Sequence, residues 1–413
     1  MKLLILSFYY PPDLSAGSFR TDALVKALEP YARHGLSVEV ITTQPNRYAD
    51  LATAAEAFED HGWLKIRRIS LPTHQSGMKD QAKAFIAYAK GVRKHTASGE
   101  WNMVFATSSR LMTAALGAHV SRRIKVPLYL DIRDLFTDTM KDVLRGSVLR
   151  HLLPFFRLLE RRSFRRAARI NVVSAGFVDY IRDIAPDQRC QVFTNGIDPN
   201  FLSRDFSKPA PDTETGPDTG LPVILYAGNI GEGQGLHKIL PDAAAQLAGR
   251  AIIRVIGSGG RASQLKDALG QAGSGAVEMH PPVPRVALME EYRNADILFL
   301  HLNDHPAFLK VLPSKIFEYA ATGKPVLAGV DGHAADFLRR EVPNTAVFAP
   351  CDADAMVAAA VCLLDQSEAP HRRAFCEKYT RTTIMAEMAA DILATVPQGR
   401  ELVQTDPLIG QTP

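Results

Sequence analysis

The segment "KVLPSKIFEYAATGKPVLA", Lys310–Ala328, sets Lys310, Ser314, Lys315 and Glu318 within an otherwise largely apolar stretch. Pro313 suits the first turn of a helix and Gly323 its end, which predicts a helix of about ten residues followed by a buried strand. At about 100° per residue, Ser314, Lys315 and Glu318 share one side, while Ile316, Phe317, Ala320 and Ala321 can face a core. Ser314 and Lys315 at the helix start offer donors and positive charge to a phosphate. Glu318, about one turn or 5.4 Å along, can accept from the two hydroxyls of a ribose. A nucleoside diphosphate lying along the helix would use all three. The plainer reading is an i, i+3 Lys–Glu pair on a solvated face, which contributes little. Neighbours as apolar as "FEYAATGKPVLA" weaken it.

Three other loops carry the residue types that let backbone approach a ligand. In "SFYYPPDLSAGSFR" two prolines stiffen the loop, Gly17 admits close approach, and Ser18 can cap a helix whose N-terminus favours phosphate. An ordinary strand-to-helix turn would look the same. "AGNIGEGQG" places Gly228, Gly231, Gly233 and Gly235 within eight positions, ahead of a helix from about Leu236. "IGSGGRASQL", 256–265 with Gly257, matches part of a dinucleotide fingerprint, but no acidic residue follows at the end of the next strand, so a nicotinamide dehydrogenase comes last among the candidates.

The elements that must position these loops alternate in type. The segments "KLLILS" (2–7), "LSVEVITT" (36–43), "MVFATSS" (103–109), "PLYLDI" (127–132), "INVVS" (170–174) and "CQVFTNG" (190–196) read as strands. Helices are predicted at about Phe19 to Tyr31, 79–97 and 111–123. After "SRDFSKPAPDTETGPDTGLP" the rhythm restarts with strands at 222–228, 251–257, 296–302 and 324–329. This predicts two Rossmann-like, doubly wound α/β domains, at 1–200 and 222–379, joined by a linker or mobile loop at 201–221. A C-terminal helix, 380–396, can pack back on either half, and 397–413 reads as a loose tail. The loops 44–62 and 72–80 carry no readable code.

With 413 residues, 46% hydrophobic and 22% charged, the chain has the composition of a soluble protein. No apolar run reaches the ~18 residues of a membrane span, and no export signal is visible. Cys190, Cys351, Cys362 and Cys376 lie far apart with no C-x-x-C spacing, which fits a reducing, cytoplasmic compartment. Net charge is +4, yet Arg145–Arg169 holds eight arginines against Glu160, a local +7 that leaves 4 − 7 = −3 for the rest. With Leu152, Leu153, Phe155 and Phe156 beside them, these arginines either face an anionic membrane surface or a diphosphate, or are merely solvated. Nucleic acid is disfavoured, because neither a recognised motif nor interleaved aromatics accompany the cluster.

The segments "FYYPPDLSAGSFR", "YLDIRDLF", "TNGID", "LYAGNIGEGQGL", "PPVPRVALMEEYRNADI" and "PSKIFEYAATGKPVLAG" together resemble the retaining glycosyltransferases of family 4. The resemblance implies the GT-B fold, two Rossmann-like domains facing across a cleft. It also implies hexosyl or N-acetylhexosaminyl transfer from a nucleotide-sugar donor, UDP-linked by expectation. The acceptor would be a glycan or polyprenyl-diphosphate-linked, in O-antigen, capsule or exopolysaccharide biosynthesis, at the inner face of the cytoplasmic membrane.

Carried onto this sequence, the resemblance sets Gly17 against the donor phosphates, Val283 beside the base and Glu318 on the ribose. Lys310 stands where the first glutamate of the family's E-x(7)-E pair is usual, and Asn229 and Gln234 replace the basic pair that commonly holds the pyrophosphate. Arg133, within "DIRD", takes the place of a histidine common after the fifth strand, so Asp131 or Asp134 is the candidate to handle an acceptor proton. Gly228 and Gly257 join the donor set. No cofactor or metal is expected, since Asp352-Ala353-Asp354 reads as a helix cap. Two other classes stay open. A nucleotide-sugar epimerase of the same fold would use the histidines of "LHLNDHP" and "GVDGHAADF"; a non-catalytic nucleotide-binding partner would account for Lys310 and the arginines.

Overall fold

In a computed structural model, the described residues are 1–13, 15–45, 55–72, 78–108, 111–143, 148–207, 220–273, 275–365 and 372–404. The chain divides into two compact units, Met1–Asn195 with Arg381–Pro413, and Gly196–Thr380. Each is built on a largely parallel sheet.

The first unit has eight strands: β1 (Lys2–Leu6), β2 (Ser37–Thr43), β3 (Phe58–Asp60), β4 (Leu64–Ile69), β5 (Met103–Ser108), β6 (Leu128–Ile132), β7 (Arg169–Val172) and β8 (Cys190–Val192). Their order is β3-β4-β2-β1-β5-β6-β7-β8, and all pairs are parallel except β3 with β4. Central strands such as "LLIL" are buried on both faces, as helices covering a parallel sheet require. The connections run β1 to β2 on one side and on to β5 on the other, so the order reverses beside β1 and opens a crevice at the carboxyl ends of β1 and β5. The helix after β1, Ala16–Leu28, packs against the C-terminal helix Arg381–Leu393. The last stretch is not a loose tail throughout: Pro397–Gln404 forms a further helix with Leu402 buried.

The second unit carries β9 (Val223–Ala227), β10 (Ile252–Ile256), β11 (Val277–His280), β12 (Ile297–His301), β13 (Val326–Gly329) and β14 (Thr345–Phe348) in the order β11-β10-β9-β12-β13-β14. Numbered from β9, that is the 3-2-1-4-5-6 order of a doubly wound nucleotide-binding sheet, whose switch point lies between β9 and β12. One apolar core under the sheet takes Leu225, Leu300, Ile316 and Phe317; another on the opposite face takes Tyr226, Ile239, Val255 and Phe299.

The first-half helices fall close to their expected places, at Ala16–Leu28, Met78–His95 and Leu111–Ile124. The linker expectation, 201–221, lies mostly outside the described residues, as do 46–54 and 73–77 of the two uncoded loops. The described end of the first loop forms β3, paired with β4.

Candidate functional site

Every strand of the second unit's sheet runs parallel to its neighbours, so the loops after β9, β10, β11 and β12 leave from one edge. The loop after β9 is the glycine-rich 228–235, and it runs beside the loop after β10. Gly228 N–H donates to Ile256 C=O at 2.8 Å, and Ile230 N–H to Ser258 C=O at 2.8 Å. Two glycines make that approach feasible. Gly257, at φ +158°, lies so close that a Cβ would fall on the carbonyl oxygen of Gly228; a Cβ on Gly228, at φ +150°, would fall on Lys315 Nζ.

Asn229 and Gln234, which stand where the family's basic pair is common, bond to each other. The Asn229 amide donates to Gln234 Oε1 at 2.8 Å, and Gly231 N–H donates to the same oxygen at 3.2 Å. The loop is thereby folded on itself. The end of β12 holds it from below. Asn303 Nδ2 donates to Glu232 C=O at 2.8 Å, and Asn303 N–H donates to Gly233 C=O at 2.9 Å.

His301, 2% exposed, spans two segments: Nδ1 lies 2.6 Å from Gln234 C=O, and Nε2 lies 2.9 Å from Cys351 N–H. Since the backbone N–H can only donate, Nε2 accepts and Nδ1 carries the proton. Burial pulls the imidazole down to about 4, so it is a neutral brace. His301 and Asn303 were legible only as "LHLNDHP", residues suited to acid–base work; their buried position turns them into supports for the loop.

The chemistry-bearing helix is shorter than its sequence suggests. It runs Lys315–Ala321, seven residues, with Ser314 preceding it and Gly323 in the left-handed conformation beyond it. Pro313 lies outside, although its carbonyl accepts from Ile316 N–H at 3.2 Å. Ile316, Phe317, Tyr319 and Ala320 are buried, and Lys315 and Glu318 stay partly exposed on the remaining side. Lys315 Nζ sits 4.2 Å from the centroid of the Tyr226 ring, a cation–π contact. Burial pulls this ammonium down to about 8, against the opposing attraction of Glu318.

The structure thus brings Gly228, Gly257 and Lys315 into contact, with Asn229 and Gln234 in the same loop and Ser314 and Glu318 on the adjoining helix start. Lys310 ends a separate 3-10 turn, Pro306–Lys310, whose Phe308 ring packs 3.1 Å from where a Gly233 Cβ would be. Val283 lies in the loop after β11, packed on the core. Arg372 closes the far end of the helix: its guanidinium donates to Ala320 C=O at 3.2 Å and Pro343 C=O at 2.7 Å.

In the first unit the residues of "DIRD" separate by role. Asp131, 1% exposed, accepts from Arg20 Nε and Nη2 at 3.0 Å each, from Thr107 at 3.1 Å and from Asn171 at 2.6 Å. Burial alone would raise its pKa, but the Arg20 guanidinium outweighs it and holds the carboxyl below the usual range. A carboxylate so occupied does not fit the expected part of proton acceptor. Asp134 is exposed. Arg133 turns back over Gly17, where a Cβ would stand 2.5 Å from its Nη1. The expected cap also moves: Ser15, not Ser18, caps the helix Ala16–Leu28, accepting from Ser18 N–H at 3.1 Å, and Ser18 is wholly buried.

The arginine-rich stretch becomes the helix Leu153–Arg166 and its flanks, with Arg145 outside the described residues. Arg166 donates to Val126 C=O at 2.9 Å and Arg169 pairs with Asp391, whereas Arg150, Arg157, Arg161, Arg162 and Arg165 are exposed. Phe155 is 58% exposed, and Leu152 and Leu158 each 47%. Glu160 points inward, accepting from Tyr180 O–H at 2.7 Å, so the helix's outer face is apolar and cationic with no carboxylate. Among the described residues no helix is long and apolar enough to cross a membrane. Asp352 caps the helix Ala353–Leu364, accepting from Ala355 N–H at 2.9 Å.

Residues 20–196 match the family model described as Glycosyl transferase 4-like domain, and 208–382 match Glycosyl transferases group 1. No curated protein matches the chain. Among solved structures, Anabaena HepE in complex with UDP and glucose is 17% identical, with 96% of this chain covering 100% of that one at a TM-score of 0.66. The lipopolysaccharide outer core galactosyltransferase WaaB is 12% identical, with 96% and 100% covered and a TM-score of 0.59. A Listeria monocytogenes protein described as a UDP-N-acetylglucosamine 2-epimerase is 12% identical, with 98% and 97% covered and a TM-score of 0.57. At these identities the likeness is one of fold.

Proposed function

The chain belongs to the glycosyltransferases that join a 4-like domain to a group 1 domain, and from that premise we propose that it moves a sugar from a UDP-sugar to a glycan or polyprenyl-diphosphate-linked acceptor with retention. The observation that carries this reading is the gathering of Lys315, Gly228 and Gly257 at the β9/β12 switch point, one helical turn from Glu318. Glu318 takes the ribose hydroxyls, Val283 lies beside the base, and Lys315, Ser314 and Lys310 face the diphosphate. The loop glycines allow it to approach the backbone.

In the proposed reaction the bond between the anomeric carbon and the diphosphate oxygen breaks, and a bond to the acceptor oxygen forms on the same face. The acceptor's hydroxyl proton passes to the departing diphosphate, whose charge Lys315 and backbone N–H groups stabilise. Neither a metal nor a side-chain base is required by this scheme, and Asp131 is left out of it. The epimerase reading loses support because His301 has both ring nitrogens committed to backbone partners.

The helix Leu153–Arg166, with its apolar and cationic outer face, supports work at the inner face of the cytoplasmic membrane, in cell-surface polysaccharide biosynthesis. Purified protein incubated with a panel of nucleotide sugars should release UDP slowly without acceptor, and faster with a prenyl-diphosphate-linked sugar. Binding with no release from any donor would favour a non-catalytic nucleotide-binding partner; epimerised donor without acceptor would establish the epimerase.

A further inference from the structure

Tyr226, next to last in β9 and 1% exposed, touches both the chemistry-bearing helix and the glycine-rich loop while belonging to neither. Successive residues of a strand face opposite sides of the sheet, and β9 follows that rule. Leu225 joins the core that takes Ile316 and Phe317, whereas Tyr226 joins the other, with Phe299. The helix Lys315–Ala321 therefore packs on the face away from the Tyr226 ring. Lys315 reaches the ring all the same, with Nζ 4.2 Å from its centroid. Its stem crosses the end of β9 through the space that Gly228 leaves open: a Cβ there would fall on Nζ and Cε and stand 3.7 Å from Tyr226 Oη.

The same side chain has a second hold. Tyr226 O–H donates to Asn229 C=O at 2.6 Å, at the start of the glycine-rich loop. Its ring packs edge-on against Phe299 of β12, with centroids 6.1 Å apart and planes at 61°, so the ring is braced from across the switch point. An ammonium that leaves water loses hydration, and the face of an aromatic ring returns part of that stabilisation. The charge that acts on Lys315 is Glu318, on its own helix; from β9 and the loop after it, the ammonium meets the ring and the Gly228 backbone. A lysine free to sample its rotamers must be ordered when a ligand binds, which weakens binding. Held over Tyr226, Lys315 is ordered beforehand.

We propose that Tyr226 is a positioning residue for the donor diphosphate: its ring holds the Lys315 ammonium at the sheet edge and its hydroxyl fixes the start of the glycine-rich loop, so that cation and loop are set relative to one another before the nucleotide arrives. This rests on the nucleotide-sugar reading of the site. Tyr226 itself touches no ligand in this scheme and acts through Lys315 and Asn229.

The test titrates the full-length protein calorimetrically with UDP and with uridine across about pH 6.5–9.5, as wild type, as Y226F, and with a trifluorinated phenylalanine at position 226, which keeps the shape of the ring and weakens the negative charge of its face. Y226F should lose about three- to tenfold in UDP affinity at every pH, the effect of one hydrogen bond, with the fall in affinity still centred near pH 8. Fluorination should move that centre down by about half to one pH unit relative to Y226F, since the ring favours the charged form. Uridine, which has no diphosphate, should bind all three alike. A centre that fluorination does not move, or a Y226F protein that binds UDP as wild type does, overturns the proposal and leaves the nucleotide-sugar reading standing. A loss of uridine affinity that matches the loss for UDP would make Tyr226 a residue of the fold and overturn it too. Wild-type protein that ignores UDP removes the reading and the proposal together. Should Y226F fail to fold, nuclear magnetic resonance of the wild type decides: the Lys315 ε-methylene signal, assigned by its absence from K315M, should lie upfield of the other lysines through the ring current, and an ordinary shift overturns the proposal.

Discussion

Glu318 and Lys315 stand three residues apart, but the surroundings give them different sensitivities. Glu318 is partly exposed and its proposed partners are two ribose hydroxyls, so Glu318→Ala should weaken UDP binding by about 2–3 kcal/mol, the loss of charged hydrogen bonds. An unchanged dissociation constant in calorimetry would remove Glu318 from the site. Lys315 adds a pH dependence. Its ammonium, ordinarily near 10.5, is pulled by burial to about 8, so unliganded protein gives up that charge as pH rises through 8. Affinity for UDP should therefore fall between pH 7 and pH 9, and Lys315→Met should flatten the profile at a lower level. Stability moves the other way. Between about pH 8 and 10.5 the unfolded chain holds more protons at this position, so its contribution to stability increases with pH. The two residues were legible in sequence because helical spacing and a bounding glycine suffice to put them on one side. His301 was visible but its part was not, since nothing in "LHLNDHP" indicates that both ring nitrogens meet backbone groups.

Helix Leu153–Arg166 keeps its one carboxylate inside and turns Phe155, Leu158 and its exposed arginines outward. If that face docks on anionic lipid, the full-length protein should float with liposomes containing phosphatidylglycerol, and 0.5 M salt should release much of it by screening the charges. The pair Phe155→Asp with Leu158→Asp should abolish flotation while leaving UDP release from the donor with a soluble acceptor intact; flotation that persists would return the face to solvent. Element by element, the central strands were readable because residues buried on both faces give continuous apolar runs, as in "KLLILS" and "DILFLHL". The edges were harder. "LKIRRI" of β4 breaks its apolar–basic alternation at Arg68, and β11 and β14 have four residues each, too few for a period to emerge. The helix start at Lys315 was misjudged for a related reason: Pro313 is compatible with a first turn, but the backbone before it belongs to the separate turn ending at Lys310.

The two units differ in how the chain composes them. The second, Gly196–Thr380, is one uninterrupted segment with an apolar core on each face of its own sheet. The first is discontinuous and borrows Arg381–Pro413, whose helix Arg381–Leu393 covers the helix after β1. That return carries specific ties as well as apolar area: Tyr129 O–H donates to Asp391 at 2.8 Å, Arg169 pairs with Asp391, and Arg381 donates to Asn195 C=O at 3.0 Å. Ile384, Met385, Met388 and Ile392 are all buried there, each contributing about 1.5–3 kcal/mol of burial. Truncation after Thr380 should therefore leave the first unit aggregation-prone or unfolded, while the excised 196–380 segment should fold cooperatively. If Lys315, Glu318 and the glycine loops suffice to hold the nucleotide, that segment should also bind UDP with measurable affinity and show a ligand-dependent rise in melting temperature. A folded 196–380 segment that ignores UDP would mean that the nucleotide is held chiefly by residues of the other unit, and the assignment of the donor to the β9/β12 switch point would fall with it.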